Sequence, residues 1–282
     1  MAHPLWSLPL EAAARGIALA REAQRLLVWT DTNWLFWTNR KGERQAQAHF
    51  ESPLVAAVSD DGSAFLAADA EGRVSLLAPD FKVRWERQVN GKPVAAALDP
   101  LGLVAAVATN LGQICLFHAD GEPAREATCP RPAQHLAFVP GTAALIAAAD
   151  LGWMAAFDLE KGEWLWRDAP VATIGGLAVA GIGEPILLAC FSDGLRGYRA
   201  DGKPWKFASA TPACRSVVVS YNAEVIVTYQ LDGSFAGWTV DMKPHFSYQP
   251  EAPPVSLALS ALGESLYLAQ ADRQLVAVAL EG

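Results

Sequence analysis

A unit of about 40 residues recurs along this chain, and no other feature limits its fold so tightly. The clearest copies are Pro53-Leu-Val-Ala-Ala-Val-Ser-Asp-Asp-Gly62, Pro93-Val-Ala-Ala-Ala-Leu-Asp-Pro-Leu-Gly102, Pro132-Ala-Gln-His-Leu-Ala-Phe-Val-Pro-Gly141 and Pro254-Val-Ser-Leu-Ala-Leu-Ser-Ala-Leu-Gly263. Each is an alternating apolar run that ends in a turn. One apolar column runs Leu19, Val58, Leu98, Ala137, Val179, Val219, Leu259, with steps of 39, 40, 39, 42, 40 and 40. A turn column runs in register with it through Asn33, Gly72, Gly112, Gly152, Gly194, Gly233 and Arg273. Its steps are 39, 40, 40, 42, 39 and 40, so the two-residue insertion falls in the same interval.

Each unit reads as four short strands. The first is small and apolar (Val55 to Val58), the second a short apolar run (Ala143 to Ala149), and the third follows the glycine turn (Trp153 to Phe157). The fourth is more polar and often aromatic, as in Val83-Arg84-Trp85-Glu86-Arg87. Turn pairs such as Asp120-Gly121, Asp193-Gly194, Asp201-Gly202 and Asp232-Gly233 separate them. Residues 11–24 have a mildly helical composition, but the columns claim them as strand and turn. Four strands per unit in seven units predict an all-β, seven-bladed β-propeller with four-stranded antiparallel blades. The blades are expected near 12–52, 53–92, 93–131, 132–171, 172–211, 212–252 and 253–282, in a single domain over 1–282. The innermost strand is crowded near the axis, and its column Ala18, Ala57, Ala97, Leu136, Ala178, Val218, Ala258 is mostly small. The last unit stops after its third strand. Residues 4–10 read as a spare fourth strand, expected to join the last blade and close the ring.

Composition narrows the function classes. With 52% hydrophobic and 18% charged residues, the chain can bury a large core, and no apolar run approaches a membrane span. A net charge of −8 without a basic cluster argues against nucleic acid and anionic membranes as partners. Cys115, Cys129, Cys190 and Cys214 form no C-x-x-C pair and read as small buried side chains in a reducing compartment. A Cys190–Cys214 disulfide between neighbouring blades stays open at this point. The first residues carry no basic stretch, and Pro4, Pro9 and Glu11 interrupt any apolar one, so no secretory signal is read and a cytoplasmic location is expected.

The unit lacks the Gly-His and Trp-Asp signature of standard WD repeats. Gly152-Trp-Met-Ala-Ala-Phe157-Asp158-Leu-Glu-Lys-Gly162-Glu-Trp164-Leu-Trp166 resembles the repeat of pyrroloquinoline-quinone (quinoprotein-like) propellers, and Gly194-Leu-Arg-Gly-Tyr198-Arg-Ala-Asp201-Gly202-Lys-Pro-Trp205 is similar. Trp85 and Phe246 hold the aromatic place elsewhere, whereas Arg125 and Ala46 do not. The quinone-dependent dehydrogenases of that family are larger, with insertions that form the cofactor site. Here seven units occupy the whole length, so no cofactor is expected. The resemblance implies instead the non-catalytic members that serve as assembly subunits.

The five histidines show no metal-ligand spacing. His135 interrupts an inner-strand column that otherwise reads Ile17, Ala56, Ala96, Leu177, Val217, Leu257, so it either faces the channel or is a hydrogen-bonded core residue. Arg15, Gln134 and Arg215 lie just before that column and are candidates for the channel mouth, where two guanidinium forks suit a carboxylate or phosphate. The alternative is that both arginines pair with acidic loops. Trp6, Trp85, Trp166 and Trp205 fall on outer strands and are expected to pack between blades. Trp34 and Trp153 follow the turn between second and third strands; exposed there, either would anchor an interaction. No paired carboxylates, G-x-S-x-G or P-loop occur, and Gly175-Gly176 and Gly181-Ile-Gly183 are expected to be turns. The leading expectation is a non-catalytic protein-interaction or scaffold propeller within a larger assembly, with self-association as a third option. The second expectation is a small-molecule site, or an enzyme, at the channel mouth.

Overall fold

The computed structural model describes residues 2–169, 172–205 and 211–280. The chain opens with β1 (Ala2–Pro9). Blade 1 holds β2 (Ala14–Ala20), β3 (Arg25–Thr30), β4 (Trp34–Asn39) and β5 (Arg44–His49). Blade 2 holds β6 (Pro53–Val58), β7 (Phe65–Asp69), β8 (Arg73–Leu77) and β9 (Val83–Gln88). Blade 3 holds β10 (Pro93–Leu98), β11 (Val104–Thr109), β12 (Gln113–His118) and β13 (Pro123–Thr128). Blade 4 holds β14 (His135–Val139), β15 (Ala144–Ala149), β16 (Trp153–Asp158) and β17 (Glu163–Asp168). Blade 5 holds β18 (Ile174–Val179), β19 (Ile186–Cys190) and β20 (Gly194–Tyr198). Blade 6 holds β21 (Cys214–Val219), β22 (Val225–Gln230), β23 (Phe235–Thr239) and β24 (Pro244–Tyr248). Blade 7 holds β25 (Pro254–Leu259), β26 (Ser265–Gln270) and β27 (Gln274–Leu280).

These are the seven antiparallel sheets of a seven-bladed β-propeller. In blade 5 the fourth-strand position starts with a Tyr198–Pro204 bridge and a Trp205 N–H bond to the Gly197 carbonyl, 2.8 Å; the rest of it, 206–210, lies outside the described residues. The N-terminal strand is the fourth strand of blade 7, paired from Ala2↔Leu280 to Pro9↔Gln274. Both chain ends therefore meet in one blade.

Blade-on-blade stacking explains the strand patterns. The second and third strands, such as β15 and β16, are buried on both faces, so they read as continuous apolar runs. The outermost strand has one wet face, and β17 alternates accordingly. The core is seven apolar clusters, one in each interface between neighbouring blades. The turn column has a backbone cause: all seven of its residues have positive φ, from 65° at Arg273 to 97° at Gly152. Glycine takes that conformation freely and asparagine tolerates it, which is why five glycines and Asn33 occupy the column.

A clamp joins the outer strands. The Trp85 indole N–H donates to the Ala119 carbonyl of the next blade (3.0 Å), Trp166 to Ala200 (2.8 Å), and Trp6 to Arg40 (2.8 Å). Two residues beyond each carbonyl comes a glycine, Gly121, Gly202 or Gly42, whose Cα lies against the same indole. A Cβ on Gly121 would stand 2.6 Å from the Trp85 ring. Arg125 takes the tryptophan's place in blade 3, donating to the Glu160 carbonyl at 3.0 Å beside Gly162. Between blades 1 and 2, where Ala46 stands in the aromatic column, Trp37 of the neighbouring strand donates to Pro79 (3.1 Å). There Phe81 occupies the glycine position, with φ of 64°, and packs in the same cluster as Ala46.

Candidate functional site

The inner strands β2, β6, β10, β14, β18, β21 and β25 line a central channel. They begin on one face, here the start face, which also carries the turns between second and third strands. They finish on the opposite end face. In every blade but the fourth a β-bulge interrupts the start of the inner strand. Bulges re-aim a side chain, and Arg15 and Arg215 are the bulged residues of their blades.

The start face gathers some of the residues expected there. His135 and Arg215 share a cavity of about 440 Å³, and His135 and Gln134 a second of about 360 Å³ whose wall includes Trp29. Arg15 lines neither; its guanidinium donates to the Pro53 carbonyl of blade 2 at 3.2 Å. Gln134 does not align with the two arginines. Blade 4 lacks the bulge, and the Gln134 side-chain oxygen accepts from the Asp150 N–H (3.2 Å). Arg215 is exposed and has no side-chain partner among the described residues, and neither has the buried Trp29 indole N–H. His135 is partly buried and bridges blades 4 and 5, its Nε2–H donating to the Ile174 carbonyl at 3.1 Å. Burial holds its imidazole below the usual histidine range; the Ile174 bond and the Asp150 carboxylate oppose that shift. The neutral ring leaves Nδ1 as an acceptor.

Two expectations on this face need correction. Trp153 is buried at 7% exposure, its ring edge-on to Trp164 at 5.1 Å, because the third strand is covered on both sides by neighbouring blades. Trp34 is the exposed one, at 38%, with His49 edge-on at 5.7 Å. Gly175 and Gly176 lie within β18 rather than in a turn, and 175 has to be glycine because a Cβ there would run into the Arg215 carbonyl of blade 6. All four cysteines are free and buried, and burial pushes the thiols of Cys115 and Cys190 to about 11. Among the described residues no group of three or more His, Cys, Asp or Glu could hold a metal ion.

The end face holds what the sequence did not mark. Arg21, just past β2, lies across the channel mouth. It makes two bonds to the Asp60 carboxylate of blade 2 (2.8 and 2.7 Å), a long one to the Val179 carbonyl of blade 5 (3.4 Å), and sits 5.1 Å from the Tyr221 ring of blade 6. The channel at this end measures about 390 Å³ and is walled by alanine, valine and leucine. Around it the turns between first and second strands are tied to one another in two groups, blades 1 to 3 and blades 5 to 7. Glu22 N–H bonds Asp60 O (2.9 Å), Asp61 bonds Pro100 (3.4 Å), Ile182 bonds Tyr221 (3.2 Å) and Tyr221 bonds Ala261 (2.7 Å). The tips in blades 3, 5 and 7 are apolar and wet: Leu101 58%, Leu103 55%, Ile182 63% and Leu262 59% exposed.

Compared with models of known protein families and with curated proteins, the sequence matches none. No helix among the described residues is long and apolar enough to cross a membrane.

Proposed function

We propose that this protein is a non-catalytic interaction propeller, a scaffold subunit that docks a protein partner on its end face. The collar of Leu101, Leu103, Ile182 and Leu262 carries this reading. Four large aliphatic side chains, each more than half exposed, stand on turns that are hydrogen-bonded from blade to blade. Such a surface is apolar and already rigid, so docking costs little ordering entropy. The clamp of outer-strand tryptophan, glycine and carbonyl supports a quinoprotein-like type of repeat, and the free buried thiols fit a cytoplasmic location.

The test is a tagged pull-down from native lysate with the Leu101→Glu/Ile182→Glu double variant alongside. Both side chains are exposed, so the variant keeps its melting temperature and loses the stoichiometric partner. Wild type recovered alone, or a variant that captures the same partner, overturns the reading. Sedimentation at micromolar concentration reports a second copy of the chain as that partner.

The start face supports a second reading, binding of a small anionic ligand at the channel mouth. It rests on the unpartnered Arg215 guanidinium and Trp29 indole at cavities shared with His135. Arg215→Ala abolishes binding of any anion found by metabolite screening if this is right, and leaves it unchanged if it is wrong.

A further inference from the structure

Blades 7 and 1 meet where β1 closes the ring. On the end face this seam opens into a cleft of about 420 Å³, within the roughly 300–1,000 Å³ of small-ligand pockets. One side of the cleft is aromatic. Trp6 and Tyr267 lie 6.1 Å apart at 43°, and the Trp6 N–H is already committed to the Arg40 carbonyl, so the indole offers only its ring. Leu5 (52% exposed) and Leu262 (59%) flank it.

The wall from blade 1 is cationic. Arg40 and Lys41 are adjacent, both line the cleft, and neither has a carboxylate within 4.0 Å among the described residues. That is notable in a chain with 30 acidic and 22 basic residues. Arg21 reaches the cleft too, but its charge is taken by Asp60. The one carboxylate lining the cleft is Glu264, from blade 7. It repels a second negative charge, so the cleft suits one anion placed at the blade 1 side with an apolar body over the rings. Polyanions do not fit this charge pattern.

We infer that this cleft binds the C-terminal residue of a partner polypeptide, its free carboxylate on Arg40 and Lys41 and its apolar side chain on Trp6, Tyr267, Leu5 and Leu262. A chain end carries a carboxylate and an apolar side chain on the same carbon, which matches a cleft lined by two unpaired cations and by apolar rings; capture of terminal carboxylates is a recurring recognition mode. The inference deepens the docking reading and rests on it for the identity of the occupant as a protein, since Leu262 belongs to both collar and cleft.

The experiment is a fluorescence-anisotropy titration of the intact chain against Gly-Ser-Gly-Ser-Gly-Leu labelled with fluorescein at its N-terminus, as free acid and as C-terminal amide. The free acid binds at least about tenfold more tightly than the amide, as expected for charge-assisted bonds to a carboxylate. The Arg40→Ala/Lys41→Ala variant binds both forms equally weakly, and Lys41→Arg keeps the preference. The double variant stays folded because both side chains are exposed and the Trp6 bond uses the Arg40 backbone. Equal binding of acid and amide by wild type, or a preference surviving in the double variant, overturns the site. Displacement of the peptide by 4-phenylbutyrate at the same concentration as by unlabelled peptide assigns the cleft to free small acids and overturns the chain-end assignment. Leu101→Glu/Ile182→Glu leaves this titration unchanged, so failure of the collar and failure of the cleft are read separately.

Discussion

Arg21 shows how much a single side chain can tie together in a ring. Its guanidinium is held by blades 2, 5 and 6 at once, with 17% of the side chain exposed and 9% of that of Asp60. The planar fork matches the carboxylate edge-on, which a lysine could not reproduce. His135 does similar work at the other face, linking blades 4 and 5 through Ile174, and it gives the fold a pH dependence with a definite sign. Burial lowers its folded pKa beneath the ordinary value near 6.5. The unfolded chain therefore binds the extra proton first as pH falls. The stability contributed by the neutral ring is complete above about pH 6.5 and is lost as pH drops through that value toward the folded pKa. His135→Gln keeps a donor for Ile174 without a titrating group. Urea midpoints at pH 7.5 and 5.5 should fall further for wild type than for this variant; an equal drop would mean that His135 does not titrate in this range.

The repeating element is legible in the sequence because its constraints are local. The turn column requires positive φ in every blade, the inner strand favours small residues in five of the seven, and both recur at a spacing of 39 to 42 residues. The clamp is half legible: Trp85 and Trp166 stand out, but the work of Arg125 does not, because an arginine on an outer strand looks like surface charge. The blade 1 variant is hidden further, since Trp37 and Phe81 share between two positions what one tryptophan does elsewhere. Arg21 and Asp60 sit on the corresponding turns of successive units, 39 residues apart, and no motif marks the pair; turn spacing likewise does not show that the Trp153 ring packs against Trp164 and is buried. If the clamp is a real unit of stability, its parts are coupled. Trp85→Ala should cost about 3–5 kcal/mol for the lost ring, and Trp85→Phe about 1 kcal/mol for the lost hydrogen bond plus a smaller packing defect. Phe81→Gly empties the space beside Ala46 and should be strongly destabilising. Ala46→Trp added to it rebuilds the arrangement of the other blades and should recover much of the loss, a non-additivity that urea unfolding of the four combinations measures. Simple addition of the two single effects would show that Phe81 is only filler.

At the scale of the molecule, the ring is closed by one strand, by polar bonds from Trp6 and Ser256, and by the apolar cluster between blades 7 and 1. β1 covers the edge of β27 over its whole length, and the Ser256 hydroxyl of blade 7 accepts from the Ile17 N–H of blade 1 at 3.1 Å. Each blade stacks on its two neighbours through its own apolar cluster, so breaking the ring at any seam exposes two blade faces at once. The closing strand matters for its place in the sheet, not for its place in the sequence. Its first described residue pairs with the last residue of β27, Ala2 with Leu280, and the two strands are antiparallel. A permuted chain that begins at Glu11 and carries residues 2–10 after position 280, through a short connector, turns the closure into an ordinary hairpin. It preserves every inter-strand bond of blade 7 and shortens the loop that folding must close. The permutant should fold with the wild-type far-ultraviolet circular dichroism spectrum and a melting temperature at or above that of wild type. Deletion of residues 2–10 should instead expose β27, lower the melting temperature sharply and drive association through the bare edge. A deletion as stable as wild type would mean that blade 7 stands on three strands and that β1 merely decorates the ring, in which case the cleft beside Trp6 would lose its structural support as well.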